Sequence, residues 1–174
     1  MEMKKSLPSR ARAVATTGIF LALSMVTLFF ATFIPGIELT LYAISSFYVA
    51  FIMVEVGVRG GWLFYVASVL LSAMIVPNKA GLIPYAMFFG LYGIAKYYIE
   101  RISKLPIEIP LKLLFFNVSF GIGLIFFQEL FLGAISVPDL ALPILIIGAQ
   151  IFFLLYDYIF TLVICFYLKQ KPIA

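Results

Sequence analysis

Long apolar stretches separated by short polar breaks run along almost the whole chain. An α-helix needs roughly 20 apolar residues to cross about 30 Å of hydrocarbon, and six stretches come near that length. Pro35-Gly36 is typical of the breaks between them. The second stretch is short and bounded by Glu38 and Glu55, so a tilted or re-entrant helix is an alternative there. The pattern predicts membrane-spanning helices at about 13–34, 39–56, 60–77, 82–99, 110–132 and 143–168.

The composition agrees with a lipid environment. Of the 174 residues, 64% are hydrophobic and 11% are charged, whereas about a quarter of the residues in a soluble domain carry a charge. A chain this apolar could not hide its surface from water, so we expect an all-α integral membrane protein. The length fits one membrane domain, 1–174, folded as a bundle of six transmembrane helices.

Basic residues indicate how the helices are oriented. With six spans and the N-terminus inside, every one of the 12 lysines and arginines except Lys79 lies on the cytoplasmic side. This bias is the positive-inside signature, so we expect both termini in the cytoplasm and the protein in the cell membrane. The first apolar run is too long for a signal peptide and lacks a small-residue cleavage site, which favours a retained helix.

An acidic residue lies near the middle of the last span. Asp157 is 14 residues from Pro143 and 12 from Lys169, which at 1.5 Å per residue is roughly 18–21 Å from either end. A charge at that depth costs at least ~2.5–3.5 kcal/mol, so it usually faces the bundle interior or a cavity. Gln150 and Thr161 share its helical face. A purely structural hydrogen bond to a tyrosine or a backbone carbonyl is the alternative.

Polar and aromatic residues also follow two neighbouring helices. Asn117 and Gln128 share one face of the fifth, and Tyr85 and Tyr92 belong to an aromatic line on the fourth. A pocket with aromatic walls and a few polar groups suits a small organic ligand. Interfacial aromatic residues and interhelical hydrogen bonds are the alternative explanation. The candidate substrate-binding residues are Glu38, Tyr42, Asn78, Lys79, Tyr85, Tyr92, Asn117, Gln128, Glu129, Gln150 and Asp157.

The residue types exclude several chemistries. The chain has no histidine, and its single cysteine, Cys165, rules out an intrachain disulfide. It has no GxxxxGK[ST] loop for ATP hydrolysis. An enzyme that acts on lipids with the help of a metal usually has clustered acidic ligands. Here no two acidic residues are three or four positions apart on one helix. We therefore expect a protein that is not an enzyme and needs neither cofactor nor metal.

Small residues form a stripe on the first predicted helix. Ala11, Ala15, Gly18 and Ala22 follow one another at spacings of four, three and four, which places them on one face. Such a face lets another helix backbone approach closely. Packing inside the protein's own bundle is one explanation, and docking of a separate membrane subunit is the other.

Together these features resemble the substrate-binding S components of energy-coupling factor (ECF) vitamin transporters. The pairs Ala11/Ala15 and Gly18/Ala22 match the AxxxA motif by which the family's first helix contacts its coupling subunit. The segment EVGVRGGWLFYVASVLL, residues 55–71, looks like the family's glycine-punctuated turn between the second and third helices. The resemblance covers the topology of essentially the whole chain.

The resemblance implies a function without catalysis. A protein of this family captures a micronutrient from outside, here beneath the loop around Asn78 and Lys79. It then docks on a coupling transmembrane protein driven by a pair of ATPases. A small scaffolding protein of the MreD cell-shape type is the main alternative. An enzyme acting on lipids and an ion-coupled carrier using Asp157 are the others.

Overall fold

The computed structural model describes residues 10–34, 36–77, 79, 82–102, 105–126 and 141–170. Of these residues 92% are helical and none lies in a strand, so the all-α prediction is confirmed for this part of the chain. The elements are α1 (Arg10–Ala31), α2 (Glu38–Val56), α3 (Val58–Ile75), α4 (Leu82–Pro84), a π-helical segment (Tyr85–Phe89), α5 (Gly90–Glu100), α6 (Leu105–Phe126) and α7 (Ala141–Gln170).

Five of the described helices, namely α1, α2, α3, α6 and α7, are long and apolar enough to cross a membrane. Helices satisfy their backbone hydrogen bonds internally, as a lipid environment requires. The protein therefore has the helices of a multi-pass membrane protein. The predicted span 82–99 is helical as well, but it is built from α4, the π-helical segment and α5, each shorter than a span.

Several helix ends differ from the predicted ones. α1 begins three residues earlier than predicted, because Arg10 and Arg12 continue the helix beyond the apolar run, and it ends three residues earlier, at Ala31. α6 begins at Leu105 and includes Pro110, while the predicted end of that span at 132 lies outside the described residues. α7 has 30 residues, about 45 Å at 1.5 Å per residue. That exceeds the ~30 Å hydrocarbon layer, so the ends of α7 do not by themselves give the depth of a residue.

The chain forms two compact units, Met1–Ile94 and Ala95–Ala174. In the first unit α1, α2 and α3 pack against one another. Its core contains Val49 and Ile52 of α2 with Phe64 of α3, all at most 1% exposed. The buried residues of α3, from Gly61 to Ser72, recur at spacings of three and four, and those of α2 cluster in the same way, so one face of each helix is buried.

Gly57 is the single residue between α2 and α3. Its backbone has φ +99° and ψ 174°, a conformation essentially restricted to glycine. Two further glycines follow: a Cβ on Gly60 would stand 2.7 Å from Val56 Cγ1, and one on Gly61 would overlap the Met53 side chain. Glycine at these positions therefore lets α3 turn back closely against the end of α2.

In the second unit, aromatic rings join α6 and α7. The rings of Phe116 and Phe153 stack with centroids 4.7 Å apart and planes 13° apart. Tyr156 and Phe160, on the same side of α7, are also buried. This aromatic seam positions the polar residues that lie next to it on both helices.

Candidate functional site

Asp157 of α7 belongs to a charged ring formed with Lys96 and Glu100 of α5 and Lys112 of α6. Lys96 donates to Oδ1 of Asp157, and Lys112 Nζ lies 3.1 Å from Oδ2. Both ammonium groups also contact Oε1 of Glu100, at 2.7 Å from Lys96 and 2.8 Å from Lys112. Positive and negative groups therefore alternate around the charged ring, and its formal charge is zero.

The charged ring is mostly buried. The side chains of Lys96 and Lys112 are 6% and 9% exposed, that of Asp157 is 18% exposed and that of Glu100 is 39% exposed. Burying a charge is costly unless an opposite charge and hydrogen bonds compensate it. Thr161 adds such bonds, because it accepts from Lys96 Nζ and donates to the Asp157 carbonyl, both at 2.9 Å.

The location of the charged ring differs from the expected surroundings of Asp157. Glu100 is the last residue of α5 and Lys112 lies in the first half of α6, so the ring adjoins the charged stretch 100–112. On the predicted topology that stretch is cytoplasmic, whereas the substrate site was expected to open outward. The observed partners of Asp157 give it a helix-packing role, and its contact with a substrate stays a prediction.

Three of the four ring members were not among the candidate residues. From the sequence, Lys96 and Lys112 were topology signals, Lys96 also ended the aromatic line on the fourth predicted helix, and Glu100 began a polar break. Two signals were present nonetheless. A buried acid needs a cation, and the four-residue spacing of Lys96 and Glu100 places them on one helical face.

A second polar contact joins the same helices. Gln150 Nε2 of α7 donates to Asn117 Oδ1 of α6 at 2.5 Å, and Asn117 Nδ2 donates to the Leu113 carbonyl at 2.8 Å. The polar faces expected on these two helices therefore meet. This contact is an interhelical hydrogen bond, and a ligand-binding role for either amide stays a prediction.

In the first unit, the candidate tyrosines Tyr42, Tyr85 and Tyr92 are at most 3% exposed. The ring of Tyr42 packs near Phe89, with centroids 6.0 Å apart. Tyr85 and Ser68 share a hydrogen bond of 2.8 Å between their hydroxyl groups. The candidate tyrosines are therefore buried within the first unit, and their contact with a substrate stays a prediction.

The π-helical segment contains Tyr85 and accepts a hydrogen bond from a side chain of α3. The Gly90 N–H donates to the Tyr85 carbonyl, five residues earlier, and Tyr65 Oη donates to the Ala86 carbonyl at 2.7 Å. A Cβ on Gly90 would stand 2.8 Å from Cε2 of Tyr65, so glycine makes room for the ring. Single π-helical turns are rare and occur often at functional sites. Hydropathy gave no indication of this feature.

The expected outer mouth is described only in part. Lys79 is exposed, and its carbonyl accepts from the Leu82 N–H at 3.2 Å. Oε2 of Glu38 accepts from the Gly36 N–H at 2.8 Å. The other three candidates, Asn78, Gln128 and Glu129, lie outside the described residues.

The small-residue stripe lies on the surface of α1. Its four residues Ala11, Ala15, Gly18 and Ala22 are all exposed. In the described part of the chain, no packing atom comes within 4 Å of a Cβ built on Gly18. The buried side of α1 is instead formed by Ser24, Leu28 and Ala31.

Comparison of the chain with protein-family models, curated proteins and solved structures found no match. Among the described residues, no three His, Cys, Asp or Glu side chains group as ligands for a metal ion. Fold and site therefore define the class, a helical protein with the spans of a multi-pass membrane protein and a neutralised ion cluster among its helices.

Proposed function

We propose that this protein is the substrate-binding membrane subunit of an ECF-type micronutrient transporter. The observation that carries the proposal is the exposed face of Ala11, Ala15, Gly18 and Ala22 on α1. A face without bulky side chains lets a foreign helix approach until the backbones are in van der Waals contact. Its exposure leaves it accessible to such a helix from a coupling subunit.

In this function the chain crosses the cell membrane six times, with both termini in the cytoplasm. The continuous helical run from Leu82 to Glu100 provides the fourth span; its 19 residues extend about 28 Å at 1.5 Å per residue, close to the hydrocarbon thickness. The support for this orientation is the basic-residue bias, which leaves Lys79 alone on the outer side.

The proposed cycle begins with capture of a vitamin-like molecule at the outer mouth. The exposed ammonium of Lys79 attracts a carboxylate or phosphate on that molecule, and opening of the bundle lets the aromatic side chains of the fourth span provide apolar walls. The loaded protein then docks through α1 on a coupling transmembrane subunit, whose ATPase pair supplies the energy. The protein itself catalyses no reaction.

The charged ring favours a second candidate, a structural membrane protein of the MreD cell-shape type. In such a protein polar groups inside the membrane serve helix packing alone. Asp157 is already engaged by Lys96, Lys112 and Thr161, which is what that function requires. A scaffold needs no bound small molecule and no ATPase partner.

Native mass spectrometry of the protein purified from its own host membranes tests the proposal. We expect a bound small molecule on the protein and additional complexes that contain a coupling subunit and an ATPase pair. Complexes with cell-wall machinery and no small molecule would contradict the transporter proposal and support the scaffold.

A paired substitution tests the outer mouth in the same measurement. Lys79→Ala should lower the fraction of protein that carries the small molecule, because it removes the cation on the outer side. Lys169→Ala removes an exposed cation in the last turn of α7 and should leave that fraction unchanged. Equal occupancy in both variants would remove Lys79 from the site.

A further inference from the structure

The two carboxylates of the charged ring differ in how firmly they are held. Asp157 lies within α7, is 18% exposed and uses a separate oxygen for each lysine. Glu100 is the last residue of α5 and is 39% exposed, and in the described part of the chain both of its ion pairs go through the single oxygen Oε1. Ion pairs of exposed side chains contribute little, because water competes for both partners. Glu100 is therefore the ring member that leaves at the lowest cost.

The two lysines are fixed in place by contrast. Both are buried, both are held by Asp157, and Thr161 binds Lys96 as well. Since the two ammonium nitrogens lie within 2.8 Å of the same Glu100 oxygen, they are at most twice that distance apart. Buried like charges at this separation repel each other unless anions lie beside them. Asp157 neutralises one of the two lysines, so a second anion position beside them has to be filled.

An oxyanion from outside the chain has the chemistry to fill that position. An ammonium group carries three donors, and on the described residues Lys112 uses two of them, one on Glu100 and one on Asp157. A tetrahedral phosphate presents several oxygens, so it can accept from both lysines at once. Arg101, the residue after Glu100, is exposed and adds a further positive charge at this end of α5.

We propose that Lys96 and Lys112 form a binding site for a phosphate group, and that Glu100 closes this site as an internal competitor. The arriving phosphate displaces the Glu100 side chain into solvent and takes over its two ion pairs. A phospholipid headgroup is one source of the phosphate, because basic pockets between transmembrane helices bind anionic headgroups, and soluble phosphate is the other. All residues of the site belong to the second unit, and the inference does not depend on the transporter proposal.

Thermal unfolding of the full chain in detergent micelles, at constant ionic strength, tests the site. Dioctanoyl phosphatidylglycerol should raise Tm until binding saturates, by roughly 5–10 °C at a concentration near 100 times Kd, because a ligand that binds only the folded state stabilises it. Dioctanoylglycerol, which has the same acyl chains and no phosphate, should leave Tm unchanged. An equal rise with both lipids would overturn the inference.

Glu100→Gln distinguishes a competitor from a merely structural charge. Without lipid, this variant should melt below the wild type, because two ion pairs of the ring are lost. Its apparent Kd for dioctanoyl phosphatidylglycerol should nevertheless be roughly two- to fivefold lower, since no carboxylate has to be displaced. A Kd equal to that of the wild type or higher would show that Glu100 does not compete for the site.

A double substitution removes the site while keeping the ring neutral. Glu100→Gln plus Lys112→Met leaves Lys96 paired with Asp157, so the protein should fold, and its Kd should rise at least about tenfold because one of two charged contacts is gone. Lys169→Met is the matched control, because it removes a cation outside the ring, in the last turn of α7. Equal binding by these two variants would place the phosphate elsewhere and overturn the site.

Sodium phosphate identifies the source of the ligand. A rise in Tm with sodium phosphate that Glu100→Gln strengthens would support the site and assign it to soluble phosphate. A rise confined to dioctanoyl phosphatidylglycerol would support the site and assign it to a lipid headgroup. No rise with either compound would refute the proposal.

Discussion

Nζ of Lys112 in α6 lies 3.1 Å from Oδ2 of Asp157 in α7, so an acid without neighbouring charges in its own helix is paired from another one. The second carboxylate oxygen is bound by Lys96 of α5. One aspartate thus connects three helices. Replacing both members of a buried ion pair by apolar residues is often tolerated, whereas removing one member leaves a buried charge uncompensated. This asymmetry leads to the first prediction.

Asp157→Asn should destabilise the protein strongly. It leaves the buried ammonium groups of Lys96 and Lys112 opposite a single carboxylate, Glu100, which is more exposed than either lysine. We expect a loss of about 3–5 kcal/mol in the free energy of unfolding, as for other broken buried pairs. Denaturant titration in detergent micelles measures it. Glu100→Gln should cost less, because water can screen the charge that its removal leaves.

Removing a second charge should restore much of that loss. In Asp157→Asn plus Lys112→Met, Lys96 and Glu100 remain, so the charged ring is again neutral. The double variant should be more stable than Asp157→Asn alone, with a coupling of about 0.5–3 kcal/mol. If Asp157 couples transport to ion movement, the second substitution cannot restore transport, because the carboxylate is still missing. Recovery of stability without recovery of uptake would therefore favour the ion-coupled carrier.

The existence of the helices was predictable from sequence because the length of an apolar run is a local property. α2, α3 and α7 lie within two residues of their predicted positions at either end. Which residues pair across helices depends instead on depth and rotation, which hydropathy does not contain. The positive-inside rule counts Lys96 and Lys112 in the same way whether they are solvated or buried. It therefore could not show that these two lysines belong to the charged ring.

The candidate site was predictable to a lesser degree. The amides of Asn117 and Gln150 were placed on the correct faces by their spacing, and the structure joins them. The π-helical segment was missed because its cause is not local: Tyr65, some 20 residues earlier, donates to the Ala86 carbonyl within it.

Gly90→Ala should disturb the π-helical segment. The added methyl group would stand 2.8 Å from Tyr65 Cε2 and 3.1 Å from the Tyr85 carbonyl, so the Tyr65 ring must shift and its bond to Ala86 weakens. We expect a loss of about 1–3 kcal/mol in stability, typical of overpacking. Thermal unfolding followed by circular dichroism measures it.

Gly148→Ala is the matched control for Gly90→Ala. Gly148 is exposed on α7, and no packing atom of the described chain lies within 4 Å of a Cβ there. Alanine has the higher helix propensity by up to ~1 kcal/mol, so this variant should be as stable as the wild type or slightly more so. A Gly90→Ala variant that behaves in the same way would show that the space beside Tyr65 is not needed.

Gly57→Ala should strain the connection between α2 and α3. The backbone there, with φ +99° and ψ 174°, is unfavourable for any residue with a Cβ, by about 1–3 kcal/mol. There is open space around the position, so the expected loss of stability comes from the backbone alone. Gly121→Ala, in the regular helix α6, should show no such loss in the same thermal measurement; equal melting of the two variants would contradict the strain.

Ala15→Trp and Gly18→Trp should abolish binding of a coupling subunit without unfolding the protein. Both positions are exposed, and a Cβ on Gly18 meets no packing atom of the described chain. An indole ring at either position therefore extends outward and keeps a docking helix at a distance.

Leu23→Trp is the matched control, because Leu23 is 45% exposed on α1 but lies off the stripe. Co-purification from host membranes, with monodispersity in detergent as the folding check, should show the partner lost in the first two variants and retained in the third. Loss of folding in both stripe variants would mean that the stripe is internal packing, and retention of the partner in all three would place the docking surface elsewhere.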